Sequence, residues 1–358
     1  MSRVPVVIPS YEPDAQLLQL CEALSAKGLT DVVIVDDGSG PDYASLFETA
    51  EHTYHFTVLR HAVNLGKGRG LKTAFNYLLN RGGDLLGCVT ADSDGQHTPE
   101  DILRCIEALE QSPDKLILGC RDFDQDNVPT KSKYGNKITR TICRFLCGVN
   151  VTDTQTGLRA ISRDFMAKLM NCPGERFEFE TNMLIETKDY CEIGEISIET
   201  VYDSKTDHKS HFHPVRDSIR IYKIFGRIFG KFLLSSVSSF IIDILLFSLF
   251  CGIFQSLTDG VWYAAVATVL ARVISAVYNY LVNYALVFHS GKKHTSSAVR
   301  YFLLALVQMC LSAGFVTLFV WVFGTLLQVP LFSETVIKIV VDTVLFLFSY
   351  YIQRKYVF

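Results

Sequence analysis

The sequence predicts an α/β domain built on a mostly parallel sheet, followed by an all-α domain of four membrane-spanning helices. Two observations carry this expectation. Short apolar runs alternate with helical patterns through the N-terminal part. Charged residues are dense up to about Lys231 and sparse beyond it, where Phe, Leu, Val and Ile crowd the last third. A chain of 358 residues has room for both domains. The expected boundaries are 1–212 for the α/β domain, 213–231 for a basic helix at the membrane surface, and 232–358 for the membrane domain. A formal charge of -3 and a pI near 6.3 lack the basic footprint of a nucleic-acid binder, so no nucleic-acid partner is expected.

Taken in order, strands are expected at residues 4–8, 31–35, 56–60, 85–91 and 115–120. Helices are expected between them at 13–27, 41–51, 69–81 and 99–111. Strands alternating with helices of this length imply right-handed crossovers, a mostly parallel sheet and helices on both faces. Ligands of such sheets bind beyond the carboxyl ends of the strands. Those ends are polar here: Pro9-Ser10-Tyr11-Glu12, Asp36-Asp37-Gly38-Ser39, residues 61–70, residues 92–97 and Gly119-Cys120-Arg121.

The central stretch is VTADSDGQH, residues 89–97. Asp92 and Asp94 are two apart on an extended chain, so both carboxylates point the same way, with Gln96 following. Two carboxylates and a carbonyl oxygen suit Mg²⁺ or Mn²⁺ with positions left for phosphate oxygens. The alternative is a turn with a helix cap, since Asp, Ser and Gly are turn residues. Asp36-Asp37-Gly38-Ser39 likewise reads as a turn and cap or as carboxylates for a nucleobase or ribose. Gly66-Lys67-Gly68-Arg69-Gly70 is a cationic loop at a helix N-terminus, suited to an anionic ligand, although it matches neither the P-loop nor the dinucleotide spacing. Its charges read equally as solvated ones.

In this order, IPSYEP, VDDGSG, NLGKGRGLKTAFN, ADSDGQH and GCRDF resemble the nucleotide-sugar glycosyltransferases of family 2, which have the Rossmann-like GT-A fold. The likeness is to the branch of polyprenyl-phosphate sugar synthases, including the dolichol-phosphate mannose synthases. The resemblance implies that Asp36 and Asp37 lie at the nucleoside and that Asp92 and Asp94 bind the metal with the diphosphate. It implies that Gln96 completes the metal's shell and that Arg121 lies near the nucleotide. Pro9, Tyr11, Glu12 and Lys67 complete the expected nucleotide-sugar site. The family's usual Asp-Ala-Asp has Ser93 at its centre here.

Beyond the fifth strand come a basic helix at 131–147 and the segment DTQTGLR, residues 153–159, which resembles the family's acceptor side, continued by RFEFE at 176–180. A sugar hydroxyl as acceptor needs a general base, so Asp153, Glu178 or Glu180 would remove its proton beside Asp94. A lipid phosphate is already ionised and needs cations instead. Arg140, Arg159 and Lys209 are the candidates for holding it, with Lys131, Lys133 and Lys137 nearby. Glu178 and Glu180 also read as residues favouring a helix N-terminus. The Gln-x-x-Arg-Trp signature of processive polysaccharide synthases is absent, which favours transfer of a single sugar to a polyprenyl phosphate. The alternatives are transfer to a glycan hydroxyl, or a lipid-linked-sugar transporter whose soluble domain only binds nucleotide-sugar.

A strand-like run at 193–202 leads to the basic amphipathic stretch, where Arg216, Arg220, Lys223, Arg227 and Lys231 recur every three or four residues. Such a helix lies at an anionic cytoplasmic surface. Apolar segments at 232–254, 261–288, 301–327 and 335–352 are each long enough to span a bilayer. Lys292, Lys293, Arg300, Arg354 and Lys355 place both termini on the cytoplasmic side of the plasma membrane. VYNYLVNYALVF and YIQRKYVF resemble GtrA-like membrane proteins, which are thought to serve polyprenyl-phosphate-linked sugars. Asp243, Arg272 and Asp342 lie within apolar spans, where a charge should be paired and is a functional candidate. Ten cysteines without a CxxC pair read as reduced thiols, His208, His211 and His213 read as loop residues, and homo-oligomers are allowed.

Overall fold

The computed structural model describes residues 2–122, 130–199, 214–255, 262–288, 293–322 and 334–358. Lys209 and the three loop histidines lie outside the described residues. The chain divides into two compact units, Met1–Phe225 and Gly226–Phe358.

The first unit holds a seven-stranded sheet in the order β3-β2-β1-β4-β6-β5-β7. Its central strands, β1 (Val6–Ser10) and β2 (Val32–Asp36), are buried at every position, the pattern of parallel strands covered on both faces. β3 (Thr57–Arg60) pairs with β2, and β4 (Gly87–Thr90) pairs with β1, all parallel. β5 (Lys115–Arg121) and β7 (Glu192–Ile198) pair in parallel. The core between sheet and helices includes Val6, Ile8, Leu17, Leu24, Ile34 and Ile102.

The sequence reading omits two elements, β6 (Arg159–Ser162) and the short helix α6 (Arg163–Leu169). β6 runs antiparallel between β4 and β5, so the sheet is mixed at this point. Four residues reading Arg-Ala-Ile-Ser carry no periodicity, and only the open edges of β4 and β5 make them a strand. Between strands lie α1 (Gln16–Ala26), α2 (Ala44–His52), α3 (Lys67–Arg81) and α4 (Pro99–Gln111). α4 starts where Thr98 Oγ1 accepts from the Asp101 N–H at 3.2 Å and Pro99 takes the first turn. α5 (Thr130–Ile142) runs into a π-helical turn, Cys143–Cys147, and α7 is Glu178–Glu186. All ten cysteines are free thiols.

The basic amphipathic stretch and the first apolar segment form one 42-residue helix, α8 (Pro214–Gln255), rather than a separate surface helix and a span. No glycine or proline between them carries a break, and the i to i−4 ladder continues. α9 (Trp262–Val282) follows, then α10 (His294–Trp321) and α11 (Glu334–Ile352). α10 begins ahead of Arg300, so that cation lies within a helix rather than in a loop. Among the described residues, three helical stretches, Arg216–Phe254, Val266–Val287 and His294–Ser312, are long and apolar enough to cross a membrane. Large apolar side chains such as Leu234, Phe240, Leu245, Val299 and Met309 are exposed on the unit's surface, as in a protein whose solvent is lipid.

The helix pairs α8–α9 and α10–α11 repeat one another. α9 and α11 both continue into π-helical turns, Asn283–Val287 and Gln353–Val357. The Phe288 N–H donates to Asn283 O at 2.9 Å and the Phe358 N–H to Gln353 O at 2.8 Å. Asn283 Nδ2 donates to Asn279 Oδ1 and Gln353 Nε2 to Ser349 Oγ, both at 2.9 Å. Within each pair, Ser239 Oγ donates to the Ser275 carbonyl and Gln308 Nε2 to the Leu345 carbonyl, again both at 2.9 Å. Ring contacts match too: Phe232–Tyr350 and Tyr301–Tyr280 at 5.0 and 5.5 Å, Phe288–Tyr350 and Phe358–Tyr280 at 5.9 and 5.8 Å.

Matched residues also meet each other. Phe288 stacks on Phe358 at 5.0 Å, and Asn283 Nδ2 reaches Gln353 Oε1 at 3.1 Å. Two such meetings at different heights on the same helices require an approximate two-fold axis along the helices, not across them. The intramembrane charges divide between the halves: Arg272 lies 3.3 Å from Asp243, and Ser312 Oγ donates to Asp342 Oδ1 at 2.5 Å. Asn283→Leu and Gln353→Leu should each destabilise the protein by about 1 to 3 kcal/mol, because each strands a buried amide. The double variant should lose less than the sum, since the two share a bond. Unfolding temperatures of the full chain in detergent check this; an effect confined to one site would contradict the two-fold arrangement.

Candidate active site

Ser10 pairs with Asp36 and Val7 with Thr90, so Asp36, Asp37 and Asp92 emerge along one edge of the sheet. There Asp36 Oδ1 accepts from the Ser39 N–H at 2.9 Å, and Ser39 Oγ accepts from the Glu12 N–H at 2.8 Å. These bonds tie the residues after Pro9 to the turn after β2. Glu12 sits in the left-handed region at φ +45°, and its bond to Tyr11 is the first cause of a phenol held above its ordinary value. Asp37 accepts from the Leu65 and Gly66 N–H groups at 2.9 and 2.7 Å and lies 2.7 Å from His61 Nδ1. Both of its oxygens therefore anchor the loop leading to α3.

The centre of the site is Asp92. Its Oδ1 is 2.7 Å from Lys67 Nζ, and the same ammonium is 3.0 Å from Glu180 Oε1. His97 Nε2 stands 3.5 Å from Asp92 Oδ2, and neither ring nitrogen of this buried histidine makes a hydrogen bond among the described residues. A Cβ on Gly157, just before β6, would collide with the Asp92 carboxylate, so the backbone closes over the site only with glycine there. Asp94 Oδ1 accepts from the Gln96 N–H at 3.1 Å.

Burial alone makes both aspartates harder to ionise. At Asp92, the Lys67 ammonium and His97 outweigh burial and hold the carboxyl far below its ordinary value. At Asp94, burial and the neighbouring Asp92 charge together push the carboxyl up. Burial lowers the Lys67 ammonium, but Asp92 and Glu180 raise it overall.

The other expected catalytic carboxylates are committed elsewhere. Asp153 is fully buried: Oδ2 accepts from Arg121 Nε at 2.7 Å, and Oδ1 accepts from Arg121 Nη2 at 3.1 Å and the Gln155 N–H at 2.9 Å. Glu178 Oε1 accepts from the N–H groups of Glu175 and Arg176 at 3.2 and 3.4 Å, at the entrance to α7. Arg159 is 1% exposed and bonds the carbonyls of Thr156 and Glu180 at 2.9 and 2.7 Å. It therefore fastens β6 to α7 and presents no guanidinium to an acceptor, contrary to the expectation from sequence. The reason is its position at the start of a central strand.

Arg140 is exposed and lines a cavity of about 480 Å³ with Arg121, Lys133, Lys137, Asn136 and Glu195. Burial raises the Cys120 thiol on its wall to about 12, which removes it as a nucleophile at neutral pH. The residues at Asp92 fit a hard divalent cation on two counts. Two carboxylates, Asp92 and Asp94, lie close enough to interact, and Asp92 already holds a positive charge, the Lys67 ammonium. Among the described residues no three His, Cys, Asp or Glu side chains converge, so the remaining positions would belong to phosphate oxygens or water.

The structure thus gathers Asp92, Asp94 and Lys67, with Gln96 joined through its backbone N–H, adds His97 and Gly157, and makes Glu180, a candidate base in the sequence, the second partner of Lys67. The pairing of Lys67 with Glu180 spans more than a hundred residues and leaves no local signal. His97 ends the central motif and was within reach of sequence reasoning.

Comparison with known proteins bears on both units. The description of glycosyl transferase family 2 matches residues 6–170, and that of the GtrA/DPMS transmembrane domain matches residues 231–358. An undecaprenyl-phosphate mannosyltransferase from Micrococcus luteus is 32% identical over 169 residues, covering 45% of this chain and 67% of that protein. A UDP-N-acetylglucosamine–dolichyl-phosphate N-acetylglucosaminyltransferase from Methanococcus voltae is 27% identical over 215 residues, covering 55% of this chain and 85% of that protein. Among solved structures, glucosyl-3-phosphoglycerate synthase from Mycobacterium tuberculosis, with Mn²⁺, UDP and glucosyl-3-phosphoglycerate, is similar with a TM-score of 0.43 at 16% identity over 57% of this chain and 72% of that one. A mixed sheet with acidic strand ends, apolar helices after it and these two matches make the chain a membrane glycosyltransferase, belonging to glycosyl transferase family 2 and carrying a GtrA/DPMS transmembrane domain.

Proposed function

We propose that the protein transfers one sugar from a UDP- or GDP-sugar to a polyprenyl phosphate, with inversion, at the cytoplasmic face of the membrane. The observation that carries this reading is the pairing of two features. An acidic strand end is suited to a metal and a diphosphate, and a cavity where Lys133, Lys137 and Arg140 outnumber Asp122 and Glu195, with Arg121 already paired to Asp153, is suited to a second anion. The named relatives act on undecaprenyl and dolichyl phosphates, which supports the same acceptor class.

Asp92, Asp94 and Gln96 would hold the divalent cation, Mg²⁺ or Mn²⁺, which when bound would supply neutralisation of charge on the departing nucleoside diphosphate. Asp36, with the residues after Pro9, borders the nucleoside. Asp37 positions the loop that carries Lys67. Lys133, Lys137 and Arg140 orient the acceptor phosphate, whose oxygen attacks the anomeric carbon as the bond to the diphosphate breaks. A lipid phosphate with a second pKa of about 6 is largely ionised at neutral pH, so no protein base is needed. This agrees with the engagement of Asp153 by Arg121. The GtrA/DPMS unit anchors the enzyme as a multi-pass protein with both termini cytoplasmic, and it receives the lipid-linked product.

The test uses membranes containing the full chain, labelled nucleotide-sugars and polyprenyl phosphate. The expected result is an acid-labile lipid product that disappears with EDTA and returns with Mn²⁺ or Mg²⁺. Arg140→Gln should raise KM for the polyprenyl phosphate by about tenfold while leaving KM for the donor unchanged. Product that is insensitive to EDTA, or label found only on a glycan hydroxyl, would overturn the reading.

A further inference from the structure

Lys67 sits on a fixed platform. The Arg69 N–H donates to the Glu175 carbonyl at 2.9 Å, and Lys72 Nζ bonds the Gly174 carbonyl at 2.9 Å and Glu175 Oε1 at 3.1 Å. A Cβ on Gly68 would run into Phe179 and the Arg176 carbonyl, so α3 and the start of α7 are in close backbone contact. On this platform the Lys67 ammonium lies between Asp92 and Glu180, with its side chain 16% exposed and 5.9 Å from the Phe177 ring centroid.

Asp92 is therefore already neutralised before any cofactor arrives. A divalent cation on this carboxylate would face the ammonium at short range in a poorly solvated site, where like charges repel strongly. The lysine has to leave Asp92 for the cation to enter. Its long, flexible stem permits that, and the diphosphate of a donor offers the ammonium a new anionic partner. Glu180, at the first turn of α7, loses its partner in the same movement.

We propose that Lys67 is the resting counter-ion of the donor site, holding Asp92 and Glu180 together until a nucleoside diphosphate takes the ammonium and releases Asp92 to a divalent cation. The proposal rests on the assignment of Asp92 to the cation made under Proposed function. It makes cation and nucleotide binding reciprocal: each is weak alone, and each strengthens the other by the same factor. Lys67 is in this sense a positioning residue for the cation, beyond its contact with the donor. A purely structural role would be a strut joining α3 to α7, with no effect on cation affinity.

The experiment titrates Mn²⁺ into the purified full chain in detergent, reading free Mn²⁺ by electron paramagnetic resonance, with and without UDP or GDP. Wild type should bind Mn²⁺ weakly alone and about tenfold or more tightly with one of the nucleotides. Lys67→Met should bind Mn²⁺ alone about tenfold more tightly than wild type and show little gain from nucleotide, whereas Lys67→Arg keeps the wild-type pattern. Unchanged or weaker Mn²⁺ binding in Lys67→Met overturns the proposal, as does a change in unfolding temperature alone. Should Lys67→Met fail to fold, Glu180→Gln replaces it. That variant leaves the ammonium to Asp92 alone and should weaken Mn²⁺ binding without nucleotide; no weakening overturns the proposal. Asp92→Asn separates the two levels. Loss of Mn²⁺ binding there, with no tightening in Lys67→Met, overturns only the counter-ion role. Retained binding in Asp92→Asn overturns the assignment of Asp92 to the cation and the proposal with it.

Discussion

Asp94→Asn should reduce turnover by about a thousandfold or more, and the folded protein should be no less stable than wild type. The two parts of this expectation have one cause. Asp94 ionises reluctantly because it is buried next to the Asp92 charge, so at neutral pH its carboxylate is a source of repulsion in the resting protein. An amide of the same shape removes the repulsion and, with it, a ligand for the cation. Asp92→Asn should lose activity equally but should also lower stability, since it leaves Lys67 with only Glu180. The pH dependence follows with opposite signs. Asp92 has its carboxyl depressed, so it stabilises the fold above its ordinary value of 3.8 and the stabilisation is lost as pH falls below it. Asp94 has its carboxyl raised, so its unfavourable contribution vanishes on acidification. Thermal unfolding of both variants between about pH 3 and 8, alongside turnover, checks this; equal stability loss in the two would contradict the assignment of charge.

Asp153→Ala should destabilise the N-terminal unit by about 3 to 5 kcal/mol, because it leaves the Arg121 guanidinium without the carboxylate that meets it at 2.7 Å. Replacing both partners, as Arg121→Met with Asp153→Leu, should recover a large part of that loss. The contrast bears on mechanism. A general base at this position would give Asp153→Asn a collapse in kcat with little change in stability. A buried ion pair gives a loss of stability, and the residual activity of the folded fraction stays near wild type. Denaturant unfolding combined with turnover per folded molecule distinguishes the two.

Much of the site lay open in the sequence because it is built from strand ends. Asp36, Asp37, Asp92 and Asp94 follow apolar runs whose alternation with helices already implies a parallel sheet, and in such a sheet the ends converge. The roles within the cluster were less open. Asp37 and Asp36 look alike in VDDGSG, yet Asp37 spends both oxygens on the loop 61–66 while Asp36 holds a turn. Arg159 sits in a motif that resembles an acceptor segment, but β6 carries it into the interior.

In the membrane unit the apolar segments were readable from composition, since spanning length is a matter of counting residues against bilayer thickness. The repeat was not, because only a few matched positions, such as Phe288 with Phe358 and Tyr280 with Tyr350, keep their identity, while others keep only their place: Ser239 matches Gln308, and Arg272 matches Asp342. Sequence by itself determined the class of each domain, the acidic strand ends and the switch from water to lipid, all of which depend on local pattern and composition. Tertiary structure alone decided that Asp92 rests on Lys67, that Asp153 is consumed by Arg121, and that two helix pairs share an axis. Those depend on contacts between residues far apart in the chain, where a side chain's partner and not its type determines what it can do.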